Sequence, residues 1–128
     1  MKKYCLFLVF FIISSPALAA EKSRGEILGE DGYTLPGWFK ESFLEIQEEV
    51  EEAKSNNKHV MLFMHIDRCP YCTRMLDENF RSGDSQKFID KYFDVIALNI
   101  RGDREIQWDE NTSFSEKTLA KELKVHFT

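Results

Sequence analysis

Two cysteines separated by two residues, Cys69-Pro70-Tyr71-Cys72, are the part of this chain best suited to chemistry. On a helix, a spacing of three puts both side chains on one face with β-carbons roughly 5–6 Å apart, near enough for small adjustments to join the sulfurs. Such a pair can open and close. Cys69 would lie at the helix N-terminus, where unpaired N–H groups and the positive end of the helix dipole favour a thiolate. Cysteines in that setting have pKa values lowered to about 3.5–7.5. Cys69 is therefore expected to attack, and Cys72, one turn inward, to resolve the mixed disulfide. Arg68 either lowers the thiolate pKa further or is a solvated surface arginine.

The elements that must hold this pair can be read from periodicity. His59 to Ile66 is a near-continuous apolar run, as expected of a buried parallel strand, and it ends where the cysteines begin. Cys69 to Phe80 reads as a helix with Pro70 in its first turn, where proline is tolerated, and with Met75, Leu76 and Phe80 on one face. A second short helix, Ser85 to Tyr92, leads into a second apolar strand, Phe93 to Ile100. Strand, helix, strand implies a right-handed crossover and a parallel pair, hence an α/β fold.

Upstream, Phe39 to Lys54 is predicted as a helix, with Phe39, Phe43, Ile46, Val50 and Ala53 inward. Glu41, Glu45, Glu48, Glu49, Glu51 and Glu52 would form its solvated face. Downstream, Arg101 to Ser113 reads as charged and irregular. Ser115 to Lys124 reads as a last helix with Ser115 as N-cap and Leu119 and Leu123 inward. Glu21 to Gly37 is polar and glycine-rich, with room for at most one short strand.

The first residues concern destination. Lys2 and Lys3 precede an apolar run from Tyr4 to Ile13, followed by Ser14, Ser15, Pro16 and the small-residue pattern Ala17-Leu18-Ala19. That is the layout of a secretory signal peptide, residues 1–19, and the run is too short for the ~20 apolar residues of a membrane span. Residues 20–37 then form a lead-in and 38–128 the domain. Cleavage removes two lysines and no acid, taking the formal charge from −5 to −7, so nucleic acid and anionic membranes are not expected partners. It also removes Cys5. Cys69 and Cys72 would then face an oxidising, periplasmic compartment, where a disulfide so short in loop is a poor staple.

A strand running into Cys-Pro-Tyr-Cys on a helix resembles the thioredoxin superfamily. The signal peptide, the acidic helix, Asp67-Arg68-Cys69-Pro70-Tyr71-Cys72 and Ala97-Leu98-Asn99-Ile100-Arg101-Gly102-Asp103-Arg104-Glu105 together resemble periplasmic thioredoxin-like proteins of the SoxW type. The resemblance spans about residues 38 to 128. It implies a three-layer α/β/α fold and a cofactor-free thiol–disulfide oxidoreductase. Its catalytic residues would be Cys69 and Cys72, supported by Pro70, Tyr71, Arg68, Asp67 and His65. It further implies a reductase that keeps exported protein thiols reduced, is fed by a membrane electron donor, and has links to sulfur oxidation or cytochrome maturation; the chain is expected to be a monomer.

Two departures stand out. Thioredoxin carries an acidic residue six positions before its first cysteine, as proton acceptor for the resolving thiol; here that residue is Phe63, which leaves His65 or Asp67 to substitute. The chain also stops at Thr128, before the superfamily's cis-proline, last two strands and closing helix. The expectation is an incomplete fold from a longer reading frame, in which the strand at 59–66 keeps an unpaired edge.

Cys-x-x-Cys is also half of a zinc site, and thiolates suit Cu(I). The alternative reading is a metal-binding module using the same cysteines, with His59, His65 and His126 as further ligands. Arg101-Gly102-Asp103 matches an adhesion tripeptide and Asn111-Thr112-Ser113 a glycosylation sequon, but loop composition explains both. Trp38 and Trp108 are expected to pack.

Overall fold

The apolar runs at 59–66 and 93–100 set the architecture, because neither leaves a face for water. A computed structural model describes residues 27–28 and 34–128. In chain order these form β1 (Ile27–Leu28), β2 (Thr34–Leu35), α1 (Ile46–Ser55), β3 (His59–His65) and α2 (Pro70–Asn79). They continue with α3 (Gly83–Tyr92), β4 (Phe93–Asn99), β5 (Glu105–Asp109), β6 (Thr112–Ser115) and α4 (Glu116–Glu122). β3 and β4 pair in parallel, from His59 opposite Phe93 to His65 opposite Asn99. Among the described residues β4 is the only strand hydrogen-bonded to β3. The expected signal peptide lies outside the described residues.

Each face of this pair carries its own core. On one face Phe63, Val95 and Ala97 pack with Cys69, Cys72, Leu76 and Phe80 of the α2 region, with Ile89 of α3 and with Leu35 and Phe39. On the other, Ile96 and Leu98 pack with Leu44, Ile46, Ile106 and Leu119, bringing in α1, α4 and the β5–β6 hairpin. Helices on both faces of a parallel pair make a three-layer α/β/α arrangement, the expected fold class.

Four local expectations need correction. The first helix begins at Ile46 rather than Phe39, because Leu44 takes a left-handed φ of 64° that a helix cannot contain. Ser42 fixes this turn: its Oγ accepts from Leu44 N at 2.8 Å and donates to Glu49 Oε1 at 2.6 Å. Phe39 is buried from a turn instead of a helix, and Phe43 is 96% exposed. Glu49, expected in water, is buried, with Lys40 Nζ 2.6 Å from its carboxylate.

Second, the stretch read as irregular contains the β5–β6 hairpin, with Ile106 opposite Phe114 and a register irregularity between Gln107 and Asp109. Its apolar residues Ile106 and Trp108 alternate with Gln107, a strand period. Third, Val50, Met75 and Leu123 are exposed, not inward. α2 turns Leu76 rather than Met75 to the core, and Leu123 is already the C-cap of α4. Fourth, the lead-in holds two short strands, β1 and β2, paired antiparallel.

α4 is anchored at its first residue. Ser115 caps the helix by accepting from Thr118 N at 3.3 Å. Glu116 is 2% exposed and its Oε1 accepts from Asn99 N at 2.8 Å and Arg104 Nη2 at 2.6 Å. Its Oε2 accepts from Arg104 N at 3.3 Å. The loop leaving β4 is thus wrapped around a buried carboxylate. The same Arg104 Nη2 donates to Ala97 O at 3.0 Å, returning the knot to β4.

Candidate functional site

β3 delivers the chain to the site. Its residues alternate between the two cores, so Met61 and Phe63 face the cysteine side while Val60, Leu62 and Met64 face the other. His65 shares the Phe63 side: it is buried, and the two rings stack with centroids 6.1 Å apart. Asp67 and Arg68 then leave the core. Arg68 takes a left-handed φ of 55° and its side chain is 91% exposed, with Nε 3.7 Å from Asp67 Oδ2. Of the two residues left to substitute for the missing acid, strand alternation keeps His65 on the cysteine side, whereas Asp67 lies beyond the end of β3 in a turn that carries it to solvent.

Cys69 is the N-cap of α2 and Pro70 its first residue. Proline suits that position because its missing N–H would have had no helical partner. The extended backbone of Cys69 turns its sulfur toward the first turn, where Cys72 N donates to Cys69 Sγ at 3.1 Å. Cys69 and Cys72 are joined at disulfide distance, with Cα atoms 5.2 Å apart. Helix spacing brought the two together as expected. Tyr71, between them, is 77% exposed.

The surroundings of the pair are apolar. Cys69 is 5% and Cys72 4% exposed, in one cluster with Phe39, Phe63, Leu76 and Phe80. Phe63 meets Phe39 at 5.7 Å and Phe80 at 5.3 Å, both edge-to-face, so an aromatic floor lies beside the cysteine pair at the position where the resemblance leads one to expect an acid. Trp38 closes this floor by stacking on Phe80 at 6.2 Å and donating from Nε1 to Phe80 O at 2.6 Å. Trp108 packs edge-on against Phe114 at 6.3 Å, in the other core. Both tryptophans are packing residues.

Sequence reasoning missed Thr128. Its hydroxyl lies 3.2 Å from Cys72 Sγ and 3.6 Å from Cys69 Sγ, and its carbonyl oxygen 3.6 Å from Cys69 Sγ. The residue is 56 positions from Cys72, and the sequence offers only an apolar stretch after α4 as a hint of return.

The metal alternative finds no support. Among the described residues no three His, Cys, Asp or Glu side chains form a group able to hold a metal ion. His59 and His65 sit at opposite ends of β3, roughly 20 Å apart at the usual strand rise, and His126 is exposed. Arg101-Gly102-Asp103 is held in the loop around Glu116: Gly102 N donates to Asn99 O at 2.8 Å, and Asp103 is paired with Lys117. No described helix is long and apolar enough to cross a membrane.

An α/β fold whose parallel strand feeds a cysteine pair into a helix N-terminus defines a thioredoxin-like class of protein. Residues 46–128 match the family model described as the thioredoxin-like domain, and the chain belongs to that family. No curated protein and no solved structure matches the chain. Family and paired cysteines together point to a redox function.

Proposed function

We propose that this protein is an exported thiol–disulfide oxidoreductase that exchanges dithiol for disulfide with other exported proteins through Cys69 and Cys72, in the reducing direction. The observation that carries the reading is the cysteine pair at disulfide distance on the first turn of α2, with the Cys72 amide on Cys69 Sγ. That amide and the helix dipole both favour negative charge on Cys69, which is what a nucleophilic thiol needs.

In the reduced protein the Cys69 thiolate attacks a partner disulfide. A Cys69–partner disulfide forms, and the partner's first sulfur leaves as thiolate. Cys72, as thiolate, then attacks Cys69 Sγ, closing the Cys69–Cys72 bond and releasing the second partner thiolate. The partner gains two electrons and the cysteine pair loses two. A thiol-bearing electron donor at the membrane returns the pair to the reduced form. The exported, periplasmic location rests on Lys2, Lys3, the apolar run and Ala17-Leu18-Ala19, and the donor-fed reductase role on the SoxW-type resemblance.

Cys69→Ser is expected to abolish exchange, while Cys72→Ser traps a mixed disulfide that a non-reducing gel reveals. Turnover in Cys69→Ser overturns the reading. An equilibrium titration in thiol buffers tests direction: a potential near about −270 mV supports a reductase, and one near about −120 mV a disulfide donor.

A further inference from the structure

The folded chain makes little use of the Arg68 side chain. It is 91% exposed, and its ion-pair neighbour is Asp67, whose Oδ2 lies 3.7 Å from Nε. Yet the residue holds a left-handed φ of 55°, which glycine takes freely and a residue with a β-carbon takes at a cost. The turn that requires this backbone carries the chain from the end of β3 to Cys69, the N-cap of α2. It fixes a guanidinium in water one residue before the nucleophile, and strain of this kind gathers at sites that bind or react.

Cys69 is only 5% exposed, so a partner sulfur must come down to this loop to reach it. The Cα atoms of two joined cysteines are usually about 5.5–6 Å apart, and the Cα of Arg68 is about 3.8 Å from that of Cys69. Residues beside the partner's cysteine therefore arrive within reach of the guanidinium. Between Ile66 and Thr73 the charged residues are Asp67 and Arg68, and the segment 125–128 carries no acidic side chain. The chain as a whole is acidic, formally −5, whereas the most exposed charge at the rim of its cysteines is a cation.

We propose that Arg68 is a specificity-determining residue of the exchange, selecting partner disulfides flanked by a carboxylate over those flanked by a cation. The inference rests on the exchange reading above and adds to it the class of partner. As the Cys69–partner bond forms and the partner's other sulfur leaves as thiolate, a carboxylate next to the partner's cysteine pairs with the planar guanidinium. An ammonium in that place is repelled. Unit charges about 6 Å apart in water interact by about RT, so replacing attraction by repulsion changes the rate about fivefold once Asp67 is allowed for. Salt at 1 M, with a Debye length of about 3 Å, should erase most of the preference.

The test uses the reduced full chain and three peptides, each closed by one disulfide, that differ only in carrying Glu, Gln or Lys after each cysteine. At low salt the Glu peptide should be reduced about fivefold faster than the Lys peptide, with Gln between. Arg68→Lys should keep that order and Arg68→Glu should invert it. The comparison is a ratio within each protein, so any change in the reactivity of Cys69 itself cancels. Equal rates for the three peptides overturn the proposal, as does an unchanged ratio in Arg68→Glu. A second measurement needs no exchange activity: in the chain carrying Cys5→Ser and Cys72→Ser, Cys69 is the sole thiol. Its thiolate attacks a methanethiosulfonate, forming a disulfide as methanesulfinate leaves. The rate ratio of a sulfonate-bearing to a trimethylammonium-bearing reagent should fall several-fold on Arg68→Glu, and a constant ratio overturns the proposal. If no peptide is reduced while that ratio still follows residue 68, the exchange reading falls and selection by Arg68 stands.

Discussion

Replacing Glu116 by alanine is a direct trial of the knot that joins β4, its loop and α4. The carboxylate is 2% exposed and accepts from Asn99 N, Arg104 N and Arg104 Nη2, so its loss strands two backbone amides and the partner of a buried ion pair. Breaking a fully buried pair costs about 3–5 kcal/mol. Here the Arg104 side chain is one-third exposed and can turn to water, which lowers the figure, while the amides add to it. We expect about 3 kcal/mol, equivalent to a fall in melting temperature of ~12–24 °C for a domain of this size. Urea unfolding monitored by circular dichroism should show a lower midpoint at unchanged slope. Gly102→Ala offers a second approach, since a Cβ on Gly102 falls on the Glu116 carboxylate and forces the loop away. A Glu116→Ala loss below about 1 kcal/mol would refute the idea that this carboxylate organises the loop.

Lys40→Met removes the cation facing Glu49 and should destabilise by about 2–4 kcal/mol in the same assay, because the carboxylate stays buried with Ser42. Burial alone would lower the Lys40 pKa, but hydrogen bonds and charge from Glu49 and Glu52 outweigh it and raise it above 10.5. The stability this gives is fully present below 10.5 and lost as pH rises through the folded value; the Lys40→Met protein should lack that alkaline loss. Asp109 behaves oppositely: the Asn111 amide and then the Thr112 hydroxyl hold its pKa below 3.8. Its contribution is present above 3.8 and lost as pH falls through the lowered value, so Asp109→Asn should flatten the acid limb of a melting-temperature profile. Phe63→Asp restores thioredoxin's acid but removes a ring packed on Phe39 and Phe80; a loss of about 3–5 kcal/mol is expected, and a variant as stable as the parent would disprove the aromatic floor.

What could be read in advance followed hydrophobic continuity and local spacing. β3 and β4 are runs of apolar residues with no polar alternation, and a three-residue spacing across a helix start brings Cys69 to Cys72. Phe39, Phe43 and Val50 also fit a helical period, yet Ser42 and Glu49 form a tertiary turn that no local pattern announces, so the helix starts late and Glu49 is buried. The hairpin was legible in the alternation of Ile106, Gln107 and Trp108 but was masked by the charges around it. Thr128 was not legible, since its contact with the cysteines joins residues 56 and 59 positions apart.

That separation also orders events as the chain folds. Cys69 and Cys72 are three residues apart and can find each other in an unfolded chain, since closing so short a loop takes well under a microsecond. The β3–β4 pairing, with partners 34 positions apart, and the return of Thr128 to the sulfurs close far longer loops and come later. The two sulfurs can therefore meet while they are still in water, and the aromatic floor and Thr128 assemble around a pair that is already side by side. The nascent pair is an ordinary dithiol open to any oxidant; the character that separates its two sulfurs arrives only with the finished fold.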